Sequence, residues 1–372
     1  MEDAEAEAED ELYYDYPEAN GSAPCEWPAD WEVSFSLLPA LYMLVFVLGL
    51  SGNGLVIATV WRGPRAQRRS ADTYLGHLAL ADLAFVLTLP LWAAYTALRF
   101  HWPFGSALCK LSSYLVLLNM FASAFCLGCL SCQRYLAVGR ARPRAPRPRA
   151  PRLLSLAALW LLAGLLALPA LLLRDTRRSA PDNLTLCDMD LSGLASPRSR
   201  RYWLGALSLA TTALGFLLPL LLMTLFYCCL GAALRRHFQH LRPGPGRGPR
   251  RRLLRIIVTL VAVFALCWLP FHLLKSLHVL SGLGLLRLPC AFLGLAALLH
   301  PYATCLAYVN SCLNPLLYAF LDRRFRVRCR LLLGLRRPPR RPAPGEPGPA
   351  PASSSLSAPT QKSELLSLAT KV

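Results

Sequence analysis

Charged side chains are scarce in this chain of 372 residues, and acidic ones are rare over most of its length. Only 16% of the residues are charged, 55% are hydrophobic, and the mean hydropathy is +0.39. Twelve of the 21 acidic residues fall within residues 1–35, which contain no Lys or Arg. This composition excludes an ordinary soluble domain, because the apolar residues are gathered in long runs.

Two further absences narrow the class of protein. Residues 1–30 lack an apolar core, so the sequence predicts no cleavable signal peptide, and the first apolar run serves as the insertion signal. No outer Ser/His/Asp or metal-binding cluster is found, and the histidines His77, His272, His278 and His300 are scattered along apolar runs. Enzymatic activity therefore has no support in the sequence.

Seven apolar runs are long enough to cross a bilayer, which takes roughly 20 helical residues. They cover residues 36–61, 71–98, 107–138, 153–173, 202–234, 252–280 and 291–320. Even spacing and short links predict a single helical bundle. The chain therefore divides into an acidic N-terminal segment (1–34), a seven-transmembrane bundle (35–321), a membrane-surface helix (322–335) and a tail (336–372).

Basic residues concentrate in alternate links: Arg62 to Arg69, Arg140 to Arg152, Arg235 to Arg252, and Arg323 to Arg341 after the seventh run. By the positive-inside rule these links are cytoplasmic and the N-terminus is outside. The arginines between Arg177 and Arg201 are an exception to the rule. Basic runs beside apolar spans are topology signals, so the net charge of +19 does not indicate a nucleic-acid partner.

The predicted outer segments carry candidate modification sites. Asn20 and Asn183 each begin an Asn-x-Ser/Thr glycosylation acceptor. Tyr13, Tyr14 and Tyr16 lie among acidic residues and are candidates for sulfation, with a solubilising tail as the alternative interpretation.

Four of the 13 cysteines occupy predicted outer positions: Cys25, Cys109, Cys187 and Cys290. An even set in an oxidising compartment predicts two disulfides, with three possible pairings. Cys126, Cys129 and Cys132 would form one stripe on a single helix without ligands from elsewhere, so they are interpreted as packing residues rather than a zinc site.

Polar and proline residues inside the spans are candidates for function. The polar ones are Asn53, Asp82, Asn119, Ser123, Asn310, Ser311 and Asn314. Asp82 at bilayer depth should face the interior and find polar partners or a cation, and a neutral, purely structural Asp82 is the alternative. The prolines at 90, 169, 219, 270 and 315 are expected to kink their helices.

The segments near the predicted inner surface differ from one another. Residues 140–152 alternate Arg and Ala with Pro and should not form a regular helix, and residues 241–249 read as loop. Residues 322–335 alternate basic and apolar residues at helical spacing, which predicts a helix on the inner membrane surface with Cys329 available for palmitoylation. Thr370-Lys371-Val372 has the form of a PDZ-binding end, a motif short enough to arise by chance.

Several short motifs together resemble class A (rhodopsin-like) G-protein-coupled receptors. They are Gly52-Asn53, Leu78 to Asp82, Gln133-Arg134-Tyr135 in place of Asp-Arg-Tyr, Trp160, Cys267-Trp268-Leu269-Pro270, and Asn314-Pro315-Leu316-Leu317-Tyr318. Thr88-Leu89-Pro90 and Trp102-Pro103-Phe104-Gly105 resemble the peptide and chemokine receptor branch.

This resemblance implies an all-α membrane protein, a rhodopsin-like seven-transmembrane bundle with a short amphipathic eighth helix, in the plasma membrane with its N-terminus outside. It implies an extracellular peptide ligand and a pocket lined by Trp92, Lys275, Tyr302 and Tyr308. The resemblance also implies the pairings Cys109–Cys187 and Cys25–Cys290.

The same resemblance implies a cytoplasmic switch, a heterotrimeric G protein of the Gi type and arrestin as partners. The switch residues would be Gln133, Arg134, Tyr135, Tyr227, Trp268, Pro270, Asn314, Pro315 and Tyr318. A sodium ion would be held in the resting state by Asp82, Asn119, Ser123, Asn310 and Ser311. Gln133 replaces the carboxylate that would restrain Arg134, so raised basal activity is expected.

Two departures leave alternatives open. A receptor for a basic peptide in this branch should carry acids at its outer rim, where this chain has Arg99, His101, Ala291 and Leu293, so the ligand is not fixed. Gln133 and the Pro-Arg link also allow a scavenging or arrestin-biased receptor that does not use a G protein. A transporter would need inverted repeats or broken half-helices, and the sequence shows neither.

Overall fold

The computed structural model describes residues 32–62, 70–138, 149–179, 184–239, 247–321 and 323–335. The elements within them are α1 (Glu32–Arg62), α2 (Ser70–Val86), α3 (Leu89–Ala97), α4 (Gly105–Val138), α5 (Arg149–Leu173), β1 (Arg174–Ser179), β2 (Leu184–Met189), α6 (Pro197–Thr212), a π-helical turn (Ala213–Leu217), α7 (Leu218–Gln239), α8 (Arg247–Gly282), α9 (Cys290–Leu321) and α10 (Arg323–Leu332). Seven segments are long and apolar enough to cross a membrane. The predicted seven-helix bundle is confirmed.

Helix α4 lies at the centre of the bundle and packs against α2, α5 and α7. The main core includes Leu78, Phe121 and Phe264, which are almost completely buried. Leucines on the outer faces remain exposed, as Leu161 on α5 and Leu225 on α7 show. An apolar exterior around a bundle of this kind suits a lipid environment, in which every backbone polar group is satisfied within a helix.

Two helices begin earlier than the sequence pattern predicts. Helix α5 starts at Arg149, within the stretch 140–152 that was expected to lack regular helix, and α8 starts at Arg247, within the expected loop 241–249. Both expectations rested on prolines. Pro151 and Pro249 fall in the first turns of these helices, where the missing N–H would be unpaired in any case.

Two spans are interrupted. Thr88 separates α2 from α3, and its hydroxyl donates to the carbonyl of Phe85 at 2.7 Å, just before Pro90. The fifth span contains the π-helical turn immediately before α7. In this turn a Cβ on Gly215 would lie 2.6 Å from Cε of Met120, so a larger residue at this position would require the end of the Met120 side chain to move.

The link between α5 and α6 forms a β-hairpin, although the sequence pattern predicts no strand there. β1 and β2 pair antiparallel, with Thr176 opposite Cys187. A disulfide joins Cys187 to Cys109 in the first turns of α4, which confirms this predicted pairing. The end of the bundle that carries the hairpin is called the hairpin end below.

An ion pair adds a second attachment of the hairpin to α4. Lys110 Nζ lies 2.9 Å from a carboxylate oxygen of Asp175 on β1. Hydrogen bonds from Ser106 and Lys110 and from the backbone of Thr176 lower the pKa of Asp175 to about 2. Asp175 is therefore ionised at neutral pH, and the attachment to Lys110 is available as an ion pair.

The turn after α3 has an unusual backbone. Arg99 and Phe100 have φ values of 55° and 66°, in the left-handed region that non-glycine residues seldom occupy. Arg99 pairs with Glu32 in the first turn of α1 at 2.8 Å, and the rings of Phe35 and Phe100 meet edge to face at 5.5 Å. Contacts with the start of α1 thus hold this turn in place.

Helix α10 packs at the opposite end of the bundle. Phe325 packs against the main core, and Arg326 donates to the carbonyl of Ala319 at 3.1 Å. Arg328 Nη1 lies 2.9 Å from Asp72 at the start of α2, and both side chains are largely shielded from solvent (23% and 18% exposed). The predicted amphipathic helix is present, with bounds of Arg323–Leu332 rather than 322–335.

We expect Asp72 and Arg328 to stabilise the fold as a pair. Asp72→Asn and Arg328→Gln should each lower the stability by roughly 1 kcal/mol, because a half-shielded pair lies between exposed and buried pairs in strength. The double variant should unfold at nearly the same temperature as the less stable single variant. Thermal unfolding of the purified protein measures this, and additive losses would show that the two side chains act independently.

Candidate ligand cavity and signalling core

A small cavity of about 50 Å³ lies among α4, α6, α8 and α9. It is lined by Val116, Leu117, Met120, Thr211, Trp268, Phe271, Lys275, Thr304, Ala307 and Tyr308. Most of this lining is apolar, and two threonine hydroxyls, the tyrosine hydroxyl and one ammonium group are its polar features. A few polar groups in an apolar wall are the lining expected of a ligand site, while the volume is well below the roughly 300–1,000 Å³ of small-molecule pockets.

Lys275 is the charged residue of this lining. Its Nζ lies 5.2 Å from the centre of the Phe271 ring, a distance at which a cation is attracted by the ring face. Tyr308 contributes the opposite wall and packs against Phe85 with ring centres 4.9 Å apart. These are two of the four residues that the sequence predicts for the ligand pocket.

The other two predicted pocket residues lie outside this lining. Tyr302 forms a hydrogen bond of 2.8 Å with Ser34 on α1. Trp92 packs against Tyr95 and Trp102, with ring centres 6.0 and 5.3 Å apart. Its buried Nε1 has no hydrogen-bond partner in the part of the chain that the structure describes. Trp92 and Tyr302 belong to one cluster that also contacts Tyr308, so they extend the pocket wall toward α1.

Trp268 forms one side of the cavity and is almost completely buried, at 4% exposed. It contacts Phe264, Phe271 and His272 through ring-centre distances between 5.8 and 6.3 Å. His272 also stacks on Phe216 of the π-helical turn, with ring centres 4.8 Å apart. A shift of Trp268 would therefore affect α8 and, through His272, the π-helical turn.

His272 is a residue that the motifs did not identify. Its Nδ1 lies 3.1 Å from the hydroxyl of Thr212, the residue before the π-helical turn, and its Nε2 has no hydrogen-bond partner among the described residues. The sequence signal for it was weak, because one histidine on an apolar helix is most often a packed core residue. Its position three residues from Lys275 was the only hint of a pocket role.

Asp82 is the centre of a buried polar cluster. Its Oδ1 accepts hydrogen bonds from Asn119 Nδ2 at 2.8 Å and from Ser123 Oγ at 3.5 Å, and its Oδ2 accepts from Asn314 Nδ2 at 3.0 Å. Ser311 Oγ donates to Asn119 Oδ1 at 3.3 Å. The cluster joins α2, α4 and α9.

The cluster contains four of the five residues predicted to bind sodium, namely Asp82, Asn119, Ser123 and Ser311. The fifth residue, Asn310, precedes Ser311 on α9 and is buried. Among the described residues, no hydrogen bond joins it to the cluster, and its Oδ1 has no partner. Carboxylate, hydroxyl and amide oxygens are suitable donors for a hard cation such as sodium. The residues present therefore fit the ion chemically.

Near the α10 end of the bundle, Tyr227 on α7 shares a hydrogen bond of 2.8 Å with Ser131 on α4. Ser131 also donates to the carbonyl of Leu127, so its hydroxyl is held in place. Tyr135, one turn further along α4, packs against Phe226 with ring centres 6.1 Å apart. The predicted switch residues Tyr227 and Tyr135 thus lie side by side, and Ser131 is a partner that the motifs did not indicate.

Several predicted residues fall outside the described side chains. Arg134 and Tyr318 lie within α4 and α9, but the structure describes only their backbones. Gln133 is half-buried on α4, and Pro270 and Pro315 lie inside α8 and α9. Outside the described residues altogether are Asn20, Asn183, Tyr13, Tyr14, Tyr16, Cys25 and Thr370-Lys371-Val372.

The second predicted disulfide involves Cys290, the first residue of α9. Cys290 is disulfide-bonded, and its predicted partner, Cys25, lies outside the described residues. Cys126, Cys129 and Cys132 are free thiols on α4, and Cys329 on α10 is a free thiol whose pKa is raised by burial.

The sequence model of the rhodopsin family of seven-transmembrane receptors matches residues 52–318. This match covers more than half of the chain and includes both the cavity and the Asp82 cluster. The chain belongs to this family. It is therefore a multi-pass receptor of the plasma membrane and not an enzyme.

Individual relatives narrow the resemblance. The chain is 59% identical to the apelin receptor of Xenopus tropicalis, over 97% of this chain and 96% of that receptor. It is 54% identical to apelin receptor A of Danio rerio, over 97% and 98% of the two chains. The human type-1 angiotensin II receptor is 37% identical over 78% of this chain and 79% of its own length.

We expect the contact between Ser131 and Tyr227 to act as one unit. Tyr227→Phe and Ser131→Ala each remove this hydrogen bond and should each cost about 1 kcal/mol of stability. The double variant should lose little more than one single variant, because the bond can be removed only once. Thermal unfolding of the three variants measures this, with Thr224→Val on the exposed face of α7 as control, and full additivity would contradict it.

Proposed function

We propose that this receptor binds an extracellular peptide and activates a heterotrimeric G protein of the Gi type. The observation that carries the proposal is the 59% identity with an apelin receptor over nearly the whole of both chains. Relatives named for apelin and angiotensin II favour a peptide ligand. The proposal places the hairpin end outside the cell and the α10 end in the cytoplasm, in keeping with the basic links of the sequence.

One end of the peptide would enter the cavity beside Lys275, Tyr308 and Trp268. An ammonium group in an apolar wall attracts a carboxylate, so a C-terminal or side-chain carboxylate of the peptide would pair with Lys275. Trp92 and Tyr302 would contact the part of the peptide nearer α1. Contact with Trp268 would favour one of two arrangements of α8 and the π-helical turn, because Trp268 contacts His272 and His272 stacks on Phe216 of that turn.

The Asp82 cluster would hold the resting arrangement through a sodium ion. Asp82, Asn119, Ser123 and Ser311 would supply oxygens, with Asn310 reaching the ion from the same helix as Ser311. When bound, the ion supplies positive charge that compensates the buried carboxylate. Ligand binding would weaken this arrangement and release Arg134, Tyr227 and Tyr318 to meet beneath the G protein.

Sodium should stabilise the resting receptor through Asp82. Raising sodium chloride from about 5 mM to about 150 mM should raise the melting temperature of the wild type, because an ion that binds only the folded state stabilises it. Asp82→Asn should abolish the shift, and Asp190→Asn, a carboxylate at the hairpin end, should retain it. Choline chloride at equal concentration controls for ionic strength. An equal sodium shift in Asp82→Asn would contradict the site.

Gln133 is expected to raise signalling without ligand. A carboxylate at this position would restrain Arg134 through a charge-assisted hydrogen bond, and an amide can offer only a weaker one. A resting state weakened by about 1.4 kcal/mol changes the equilibrium roughly tenfold. Ligand-free GTP exchange on Gi should therefore fall in Gln133→Asp and stay near the wild-type level in Gln133→Asn.

Arg134→Ala completes this experiment and tests the proposed function itself. At matched surface expression it should reduce GTP exchange to background, both without ligand and with apelin as the peptide probe. Gln133 also motivates the second candidate function, a scavenging or arrestin-biased receptor. If both the wild type and the Gln133→Asp variant took up peptide without GTP exchange, that result would favour this second candidate over Gi coupling.

The remaining sites stay predictions. Glycosylation of Asn20 and Asn183, sulfation of Tyr13, Tyr14 and Tyr16, and the disulfide Cys25–Cys290 all require the hairpin end to be extracellular. Palmitoylation of Cys329 and a PDZ partner at Thr370-Lys371-Val372 require the α10 end to be cytoplasmic, as does the binding of arrestin.

A further inference from the structure

The hairpin end of the bundle carries an excess of positive charge. Side chains described there include the basic residues Arg99, Lys110, Arg174, Arg177, Arg178, Arg200, Arg201 and Arg287 and the acidic residues Glu32, Asp175, Asp188 and Asp190. Eight basic and four acidic residues leave a net charge of four positive. A surface with this imbalance attracts acidic groups.

The four acids are already engaged with basic neighbours. Glu32 pairs with Arg99 at 2.8 Å and Asp175 with Lys110 at 2.9 Å, whereas Asp188 lies 4.0 Å from Arg174. Asp190 accepts a hydrogen bond from the backbone of Ser192 and lies within the electrostatic influence of Arg177 and Arg200. Among the described residues, this end therefore offers no further acidic side chain that could pair with the other arginines.

Three exposed arginines remain: Arg178 on β1, Arg201 on α6 and Arg287 before α9. None of them has a carboxylate within 4.0 Å in the part of the chain that the structure describes. Arg201 interacts with its neighbour Tyr202, by a hydrogen bond of 3.1 Å and by lying over the ring. These three residues are called the arginine rim below.

The elements that carry the arginine rim lie at the same end of the bundle. Arg178 is on β1, and Arg201 is in the first turns of α6, which follows β2 after a short link. Gly205 on α6 lies against Leu283 just after α8, four residues before Arg287. The three arginines therefore share the hairpin end.

The same chain supplies a segment of complementary charge. Residues 1–31 contain 11 Asp and Glu and no Lys or Arg. The next acid, Glu32, is the first described residue and already pairs with Arg99. Cys290 is disulfide-bonded three residues after Arg287, and the predicted disulfide to Cys25 would attach the acidic segment beside the rim.

We propose that the arginine rim binds acidic residues of the chain's own N-terminal segment, and that a free acidic ligand must displace this segment to reach the rim. A single exposed ion pair contributes only about 0.2–1 kcal/mol. Attachment to the same chain gives the segment an effective concentration on the order of millimolar, so the contact needs far less affinity than one between separate molecules. The proposal depends on neither the identity of the peptide ligand nor G-protein coupling.

Photo-crosslinking of the full-length purified receptor tests this proposal. A photoreactive amino acid replaces Leu285, which is 72% exposed and lies two residues from Arg287, with Leu194 as a second position of equal exposure. Crosslinks mapped by mass spectrometry should fall within residues 1–24. Their yield should drop several-fold between about 20 mM and about 0.5 M salt, because salt screens exposed charges.

The variant with Arg178→Gln, Arg201→Gln and Arg287→Gln should show the same several-fold drop at low salt. Its control combines Arg62→Gln and Arg330→Gln, exposed arginines away from the rim, and should crosslink like the wild type. Absence of crosslinks to residues 1–24, or crosslinks insensitive to both salt and the rim variant, would overturn the proposal. So would crosslinks only between two copies of the chain.

A second arm distinguishes the chain's own segment from a free acidic peptide. A labelled synthetic peptide of residues 1–24 should crosslink to a receptor that lacks residues 1–24 more strongly than to the intact receptor. Equal labelling of both receptors would show that the rim is open to soluble acidic partners and would refute the intramolecular contact. None of these measurements uses the receptor's ligand or a G protein, so their failure is distinct from failure of the proposed function.

Discussion

The bundle depends on the way in which one buried carboxylate is satisfied. Asp82 has no exposed surface, and a charge or an unpaired carboxyl group in such a place is costly. Hydrogen bonds from Asn119, Ser123 and Asn314 bring α4 and α9 to α2. Asn53 of α1 extends this convergence by donating to the carbonyl of Ser311 at 2.9 Å. One polar centre thus positions four helices. The leucines around the outside do not position them in this way, because apolar contacts, unlike hydrogen bonds, have no preferred direction.

This polar centre lies between two regions that could otherwise move independently. The cavity wall around Trp268 is built from packed aromatic rings, with centre distances between 5.8 and 6.3 Å. The contact between Ser131 and Tyr227 is a hydrogen bond near the other end of the bundle. A polar centre between these two regions is suited to a protein with two global arrangements, because a local change at either end shifts an equilibrium that involves the whole bundle.

The sequence predicts the spans well because roughly 20 apolar residues in a row have few other uses. It also identifies most members of the polar centre, since polar residues in lipid must find each other. The sequence does not predict which asparagine of α9 donates a hydrogen bond to Asp82. Asn310 and Asn314 are one helical turn apart, and their roles depend on the rotation of α9 about its axis, which packing determines. Asn314 donates to Asp82, and Asn310 does not.

Other features could not be predicted for physical reasons of the same kind. β1 consists of Arg, Asp, Thr and Ser, so its sequence has no apolar strand pattern, and the disulfide from Cys187 to Cys109 helps to fix the position of the hairpin. The early start of α8 depends on Pro249 falling in the first turn, where proline is tolerated. At the π-helical turn, Gly215 packs closely against Met120, a contact between elements far apart in the sequence.

The left-handed turn at Arg99 and Phe100 has a mechanical consequence. Its backbone is held away from its relaxed geometry by the start of α1, through Glu32 and Phe35. Two residues further on, the backbone N–H of Trp102 donates to the carbonyl of Thr185 in β2 at 2.7 Å. A tensile load on the chain ahead of Glu32 would therefore pass through this turn into the hairpin and, across the disulfide of Cys187, into α4.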